Sequence, residues 1–317
     1  MIRYKIEKGI ILSLVWMVAL GVAYFSGHKI EQDKILAQQV REQQQEQLVY
    51  DAFNGVQLQA KAAYVVLPET GKELYHVHDF RTLPLASLAK LASLYTALEV
   101  FPKDDMVTIT DTALRSEGNT KLLPGKQWKV GDLAAFSLVA SSNDGISALT
   151  ERFEATTQEQ LAQVATERMH ALGFHTLAFK NTTGLDLADL SPGAVGNARD
   201  VAGMLYAFFI KQADILTTTK EAKASFTDID GGAYLAENTN KMTVDYPNLI
   251  ASKTGYTSHV GGNLAILFKG PHDELVEVVV LGSTLDGRFA DVKILADRAY
   301  AYLEQNGATS VEKTAIR

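Results

Sequence analysis

Residues 249–281 read LIASKTGYTSHVGGNLAILFKGPHDELVEVVVL and contain three short apolar runs separated by polar, glycine-containing turns. The runs Leu249 to Ser252, Asn263 to Phe268 and Val276 to Leu281 have the length and composition of buried strands. A helical pattern from about Phe289 to Leu303 follows them. The C-terminal part of the chain therefore predicts much of a sheet and one helix that covers it.

Two further strand signals, Lys61 to Leu67 and Glu73 to His78, occur far upstream on either side of a Pro68–Lys72 turn. The region between the two sets of strands is mostly helical in pattern, with segments at Leu85 to Val100, Asp132 to Leu138, Asp144 to Glu154 and Ala198 to Phe209. Because regular strand–helix alternation is missing, we predict an α+β fold. One antiparallel sheet is made from both ends of the domain, and the central helices pack against it as a lobe.

Local signals indicate where one of these helices and one further helix begin. Asn197 is expected to cap the helix from Ala198, and Thr156 to Glu159 resembles a capping box that opens a helix ending at Gly173. Arg199 and Asp200 are expected to form an ion pair at a helix start.

Composition excludes several classes of protein. The chain has 317 residues, is 47% hydrophobic and 21% charged, and is long enough to bury a sizeable core. The formal net charge is -7, whereas a nucleic-acid binder presents a basic surface, so we expect no nucleic-acid partner. The absence of cysteine excludes disulfides, thiolate metal sites and cysteine nucleophiles. We expect no metal and no cofactor.

A run of 19 uncharged residues, Gly9 to Gly27, is just long enough to span a hydrocarbon core of about 30 Å as a helix. We predict a cytoplasmic tail at residues 1–8 and a single membrane anchor at residues 9–27. The rest of the chain then lies outside the cytoplasm, at the cell membrane. A cleaved signal peptide is the alternative, because small residues at Ala19 to Ala23 offer cleavage sites.

The remaining organisation follows from composition. Residues 28–51 are rich in glutamine and free of glycine and proline, which predicts a polar helical stalk. The folded domain is expected at residues 52–305, with a short tail at residues 306–317.

Three short motifs carry possible chemistry. Ser87 and Lys90 stand three apart on a predicted helix, so they share a face and can form an acyl-transfer nucleophile with its base. Ser141-Ser142-Asn143 lies at a predicted break between helices, and Lys253-Thr254-Gly255 lies on a predicted strand. Taken singly, each motif is ordinary structure: a buried serine with a lysine, a helix cap, and a strand-end turn.

Taken in order, the motifs and their flanks resemble the penicillin-recognising serine peptidases, and within them the low-molecular-mass D-alanyl-D-alanine carboxypeptidases. The resemblance covers residues 52 to 305 and includes these further blocks: Leu83 to Ala86, Val130 to Leu133, Asn181 to Leu185, Ala198 to Asp200, Asn238 to Asn240 and Lys253 to Thr257. It implies a penicillin-binding transpeptidase fold, in which an antiparallel sheet covered by helices lies beside a mostly helical lobe.

The resemblance also implies a role for each residue of the site. Ser87 is the nucleophile, Lys90 its base and Ser141 a proton relay. Burial and the Lys253 cation both disfavour a charged Lys90. The substrate is expected to contact Asn143 through its amide, Lys253 and Thr254 through its carboxylate, and Gly255 and Tyr256 along the strand, with the backbone amides of Ser87 and Tyr256 as the oxyanion hole.

Arg288 is a weaker candidate for the substrate carboxylate, since it rests on Asp286-Gly287-Arg288 alone. Two departures from the family are visible. Thr183 stands where the best-known members have a histidine, and no room is expected after the last helix for the C-terminal β domain common in the family.

The predicted activity is a membrane-tethered carboxypeptidase that removes the terminal D-Ala of peptidoglycan stem peptides, with β-lactams as covalent inhibitors. The alternatives are a D,D-endopeptidase acting on cross-links and, less favoured, a β-lactamase or an inactive cell-wall-binding module. A β-lactamase needs a separate glutamate, and the sequence has no ExxLN stretch between Asn143 and Lys253.

Overall fold

The computed structural model describes residues 2–306, except 116, 117, 119, 120, 244 and 247. In the first helix, the side chains of residues 2–15, 18–23 and 25–27 also lie outside the description. The chain divides into two compact units, Met1–Asp51 and Ala52–Arg317. The tail predicted at residues 306–317 lies outside the described residues beyond Asn306.

The first unit is helical. Helix α1 (Ile2–Phe53) includes the predicted stalk, where polar side chains four residues apart, such as Gln38 and Glu42, are hydrogen-bonded. The predicted anchor at residues 9–27 falls mostly on side chains outside the description. In the part of the chain that is described, no helix is both long and apolar enough to cross a bilayer.

In its described residues, the second unit contains one large antiparallel sheet and three smaller sheets. Their strands are β1 (Ala62–Leu67), β2 (Lys72–Val77), β3 (Leu83–Pro84), β4 (Met106–Thr108), β5 (Gln127–Lys129), β6 (Ala178–Phe179), β7 (Ala194–Gly196), β8 (Lys223–Thr227), β9 (Ala233–Glu237), β10 (Leu249–Thr257), β11 (Gly261–Lys269) and β12 (Leu275–Ser283). The large sheet has the strand order β10-β11-β12-β1-β2. The strands from the two ends of the domain meet where β1 pairs with β12. This confirms the predicted antiparallel sheet.

The helices of this unit are α2 (Ala89–Val100), α3 (Val130–Val139), α4 (Asn143–Thr157), α5 (Leu161–Ala171), α6 (Ala198–Leu216) and α7 (Gly287–Asn306). Helix α2 is the centre of the lobe, because it packs against α3, α4, α5 and α6. Helix α6 connects the lobe to the sheet through β1, β11 and β12, while α7 packs on β11 and β12.

Burial explains the apolar character of β12. Val279 and Leu281 join the core that also contains residues of α2 and α6, and Val278 and Val280, which alternate with them along the strand, are buried as well. Side chains alternate between the two faces of a strand. Both faces of β12 are therefore covered, and the strand is a near-continuous apolar run.

Of three local predictions about helix starts, one is confirmed and two need correction. Asn197 caps α6 as expected, by accepting a hydrogen bond from the backbone N–H of Asp200. Arg199, however, pairs with Glu73 and Asp79 rather than with Asp200. The capping box at residues 156–159 was wrong, because α4 continues to Thr157 and α5 begins only at Leu161.

Candidate active site

Ser87 lies in a tight turn between β3 and α2. The entry of this turn is fixed because β3 pairs with β7 and the Leu85 N–H donates to the carbonyl of Ala194 at 2.9 Å. Ala86 has φ of 48°, which an L residue adopts only at a steric cost. Ala86–Leu88 form one turn of 3₁₀ helix that leads into α2. A strained turn thus presents Ser87 at the start of the most buried helix of the lobe.

Lys90 follows one helical turn later, and its Nζ lies 2.7 Å from Ser87 Oγ. It also donates to the carbonyl oxygen of Thr183 at 3.0 Å. The side chain is 0% exposed. Burial, together with the Lys253 cation, lowers the pKa of Lys90 well below its ordinary value. A neutral amine within hydrogen-bond reach of a hydroxyl can act as its general base.

Ser141 lies at the break between α3 and α4, in the left-handed region with φ of 53°. Ser142 caps α4 by accepting from the Gly145 N–H, and Asn143, largely buried, is the first residue of that helix. The cap fixes the backbone on which Ser141 and Asn143 are carried. Ser141 Oγ accepts a hydrogen bond from Lys253 Nζ at 2.8 Å.

Lys253 and Thr254 lie on β10, at the edge of the sheet order in the described part of the chain. Lys253 is 1% exposed, and burial together with the Arg288 cation lowers its pKa to about 7. Thr254 Oγ1 lies 2.6 Å from Thr239 Oγ1, so the two hydroxyls are hydrogen-bonded. The edge strand therefore offers a titratable amine and a hydroxyl side by side, and Thr239 adds a second hydroxyl from outside the strand.

Arg288, at the start of α7, is 6% exposed and donates from Nη1 to the carbonyl oxygen of Gly255 at 2.9 Å. The structure thus gives Arg288 a contact with the backbone of β10 and an electrostatic effect on Lys253. Its predicted contact with a substrate carboxylate stays a prediction. Tyr256, on the same strand, is 43% exposed.

The structure therefore brings the three motifs together as two lysine–serine pairs. Lys90 contacts Ser87 and Lys253 contacts Ser141, and the two lysines are close enough for one charge to affect the other. Such pairs can accept and return a proton during acyl transfer. The roles of Ser87, Lys90 and Ser141, and of Asn143, Gly255 and Tyr256 towards a substrate, stay predictions.

Three residues that support the site were not identified as supporting residues from the sequence. Asn181 binds the backbone of Gly184 and Leu185 and so shapes the loop whose Thr183 carbonyl contacts Lys90. Thr239 contacts Thr254, and Asn263 on β11 contacts the turn before Ser87. Asn181 and Thr239 lie in blocks already noticed for their resemblance, whereas no local pattern marks Asn263.

Comparison with known proteins finds relatives over the part of the chain that contains these residues. The family model described as D-alanyl-D-alanine carboxypeptidase, peptidase S11, matches residues 43–284. D-alanyl-D-alanine carboxypeptidase DacF of Bacillus subtilis is 27% identical over 252 residues, which cover 78% of this chain and 63% of DacF. DacA of Escherichia coli, with the same enzyme name, is 27% identical over 271 residues, covering 81% of this chain and 64% of DacA. The chain thus spans less than two thirds of the length of these curated relatives.

A solved structure shows the same fold. Penicillin-binding protein D2 of Listeria monocytogenes, in a cefotaxime-bound form, superposes with a TM-score of 0.66 at 24% identity, covering 78% of this chain and 99% of that chain. The likeness supports the penicillin-binding transpeptidase fold that the family resemblance implies.

Proposed function

The chain belongs to the D-alanyl-D-alanine carboxypeptidase family, and from that premise we propose that it removes the terminal D-Ala of peptidoglycan stem peptides through an acyl-enzyme on Ser87. One observation carries the proposal. A fully buried lysine with a lowered pKa, Lys90, lies 2.7 Å from the hydroxyl of Ser87. A serine hydroxyl becomes an effective nucleophile only when a neighbour takes its proton.

Acylation begins when Ser87 Oγ attacks the carbonyl carbon of the last peptide bond while its proton passes to Lys90. The carbonyl oxygen becomes an oxyanion, which the backbone N–H groups of Ser87 and Tyr256 stabilise. The C–N bond then breaks, and the leaving amine of D-Ala takes up, through Ser141, the proton that Lys90 received, so that Lys90 is neutral again. The hydrogen bond from Lys253 orients Ser141 for this relay.

Deacylation returns the site to its starting state. Water attacks the ester carbonyl, its proton passes to Lys90, and Ser87 leaves as the hydroxyl. The products are free D-Ala and a peptide shortened by one residue.

Substrate binding is assigned to the edge strand and the start of α4. Lys253 and Thr254 bind the terminal carboxylate, and Thr239 orients the hydroxyl of Thr254. Asn143 binds the substrate amide. A β-lactam presents a strained amide and a carboxylate in similar positions, so we expect it to acylate Ser87.

The test is separate incubation of residues 28–317 with a pentapeptide that ends in D-Ala-D-Ala, with cross-linked peptide dimers and with penicillin, followed by mass spectrometry of each compound. Loss of one alanine supports the proposal. Cleavage of cross-linked dimers alone would replace it with a D,D-endopeptidase, and rapid turnover of penicillin alone would replace it with a β-lactamase. Binding without cleavage would leave an inactive cell-wall-binding module.

We also propose that residues 9–27 tether the enzyme to the cell membrane, with the domain outside the cytoplasm. The uncharged run of 19 residues supports this assignment. Carbonate extraction of membranes tests it: the full chain should stay in the membrane pellet with its N-terminus intact. A mature protein that begins after Ala19 to Ala23 would instead show that the segment is a cleaved signal peptide.

A further inference from the structure

Asn263 occupies an unusual place in the large sheet. It is 0% exposed and lies directly opposite Gly255 in the pairing of β10 with β11. On its other side the register between β11 and β12 shifts between Gly262 and Leu264, so Asn263 lies at a bulge. Its Oδ1 accepts the N–H of Gly282 at 2.8 Å. Bulges next to active sites commonly re-aim a side chain.

The amide nitrogen of Asn263 is aimed at the turn that carries Ser87. Nδ2 donates to the carbonyl oxygens of Pro84 and Leu85, each at 3.0 Å. These carbonyls come immediately before Ala86, whose positive φ makes the turn strained. A strained backbone persists only where its surroundings hold it. Asn263 supplies two such hydrogen bonds from the sheet.

Gly255 makes this close approach possible. A Cβ at position 255 would stand 2.5 Å from the carbonyl oxygen of Leu85 and 3.4 Å from Cβ of Asn263. Any side chain there would push the Ser87 turn away from β10. The absence of a side chain at Gly255 and the hydrogen bonds from the Asn263 amide therefore together set the distance between the turn and Tyr256, the next residue on β10.

We propose that Asn263 is a positioning residue for the reaction. It holds the strained Ser87 turn against β10, so that the backbone N–H groups of Ser87 and Tyr256 converge on the developing oxyanion. This inference rests on the proposed function for the identity of the oxyanion. The N–H of Ser87 lies on the turn, and the N–H of Tyr256 lies on β10. Asn263 is paired with Gly255 of β10 and donates a hydrogen bond to the turn, so it connects the two elements.

The test is Asn263→Asp. This substitution keeps an oxygen for the Gly282 N–H but removes both donated hydrogen bonds to the turn. We expect kcat and the rate of penicillin acylation to fall about 100-fold, as for a misplacement near 1 Å, with KM changed by less than about threefold. The affinity for a peptide boronic acid, whose tetrahedral adduct on serine occupies the oxyanion hole, should fall in parallel. Affinity for the shortened product should not.

Asn197→Ala is the matched control, because Asn197 is also a buried asparagine with a structural hydrogen bond but caps α6 instead. It should lower the melting temperature and leave kcat and boronate affinity unchanged. If Asn263→Asp does not fold, Asn263→Ser replaces it, as a shorter and uncharged variant.

Three outcomes overturn the inference: full activity in a folded Asn263 variant, equal losses of boronate and product affinity, or failure of both variants to fold. If the wild type releases no D-Ala, the proposed function fails on its own. The acylation and boronate measurements still decide the role of Asn263.

Discussion

Gly184→Ala should lower the rate of acylation although Gly184 is not one of the catalytic residues. A Cβ at position 184 would stand 1.9 Å from the carbonyl oxygen of Ala86, whereas real Cβ contacts are essentially never under 3.0 Å. Either the Asn181 loop or the Ser87 turn must therefore move by about 1 Å, and misplacement on that scale costs about 100-fold in rate. The loop carries the Thr183 carbonyl that binds Lys90, so movement of either partner disturbs the Ser87–Lys90 pair.

The assay is the rate of covalent labelling by fluorescent penicillin, read beside thermal unfolding. Gly231→Ala is the matched control: Gly231 has φ of 82° against 78° for Gly184, but a Cβ there meets nothing within 4 Å. Both variants should lose about 1 to 2 kcal/mol of stability from the left-handed backbone. Only Gly184→Ala should lose labelling. Equal labelling rates in a folded Gly184→Ala protein would refute the reasoning.

Three further predictions concern charge. Lys90→Arg should lower acylation by a factor of about 100 or more although the positive charge is kept, since a guanidinium cannot deprotonate in proteins; penicillin labelling within about tenfold of wild type would place the base elsewhere. KM for a peptide with a free carboxylate should rise as pH increases through about 7, where Lys253 loses its charge, while a carboxamide-capped peptide should show no such change; parallel profiles would contradict this. Burial raises the pKa of Glu277 well above its ordinary value, so the folded state holds a proton that the unfolded state releases. Above pH 5, the free energy of unfolding of the wild type in urea should therefore fall by about 1.4 kcal/mol per pH unit relative to that of Glu277→Gln. A difference between the two proteins that does not change with pH would contradict this.

The large sheet and the main helices could be predicted from the sequence because their apolar runs are local signals. The strands after residue 245 were placed within a few residues, although β10 extends further, to Thr257. Lys253-Thr254-Gly255 was placed on that strand although it lies beyond the apolar run that marks the strand. The β8–β9 hairpin was missed for a related reason: apart from the buried Ala236, its side chains alternate between exposed and half-buried, with little apolar contrast.

The candidate site was predictable only in part. Ser87 and Lys90 are neighbours on one helical face, so their contact follows from spacing. Contacts between residues distant in sequence, such as Lys253 with Ser141, required the family resemblance. Asn263 contacts the backbone at residues 84 and 85, nearly 180 positions away, through a bulge. The acceptors are backbone carbonyl oxygens, which every residue carries, so no sequence pattern could reveal this contact.

The central claim is that Ser87 forms the acyl-enzyme. The most direct measurement is tandem mass spectrometry of the protein after reaction with labelled penicillin, followed over time once excess drug is removed. We expect a single adduct on Ser87 that is absent from Ser87→Ala and persists over many peptide turnovers, since the opened ring blocks the approach of water. Labelling of Ser87→Ala, an adduct on another residue, or loss of the adduct within one peptide turnover would contradict the account.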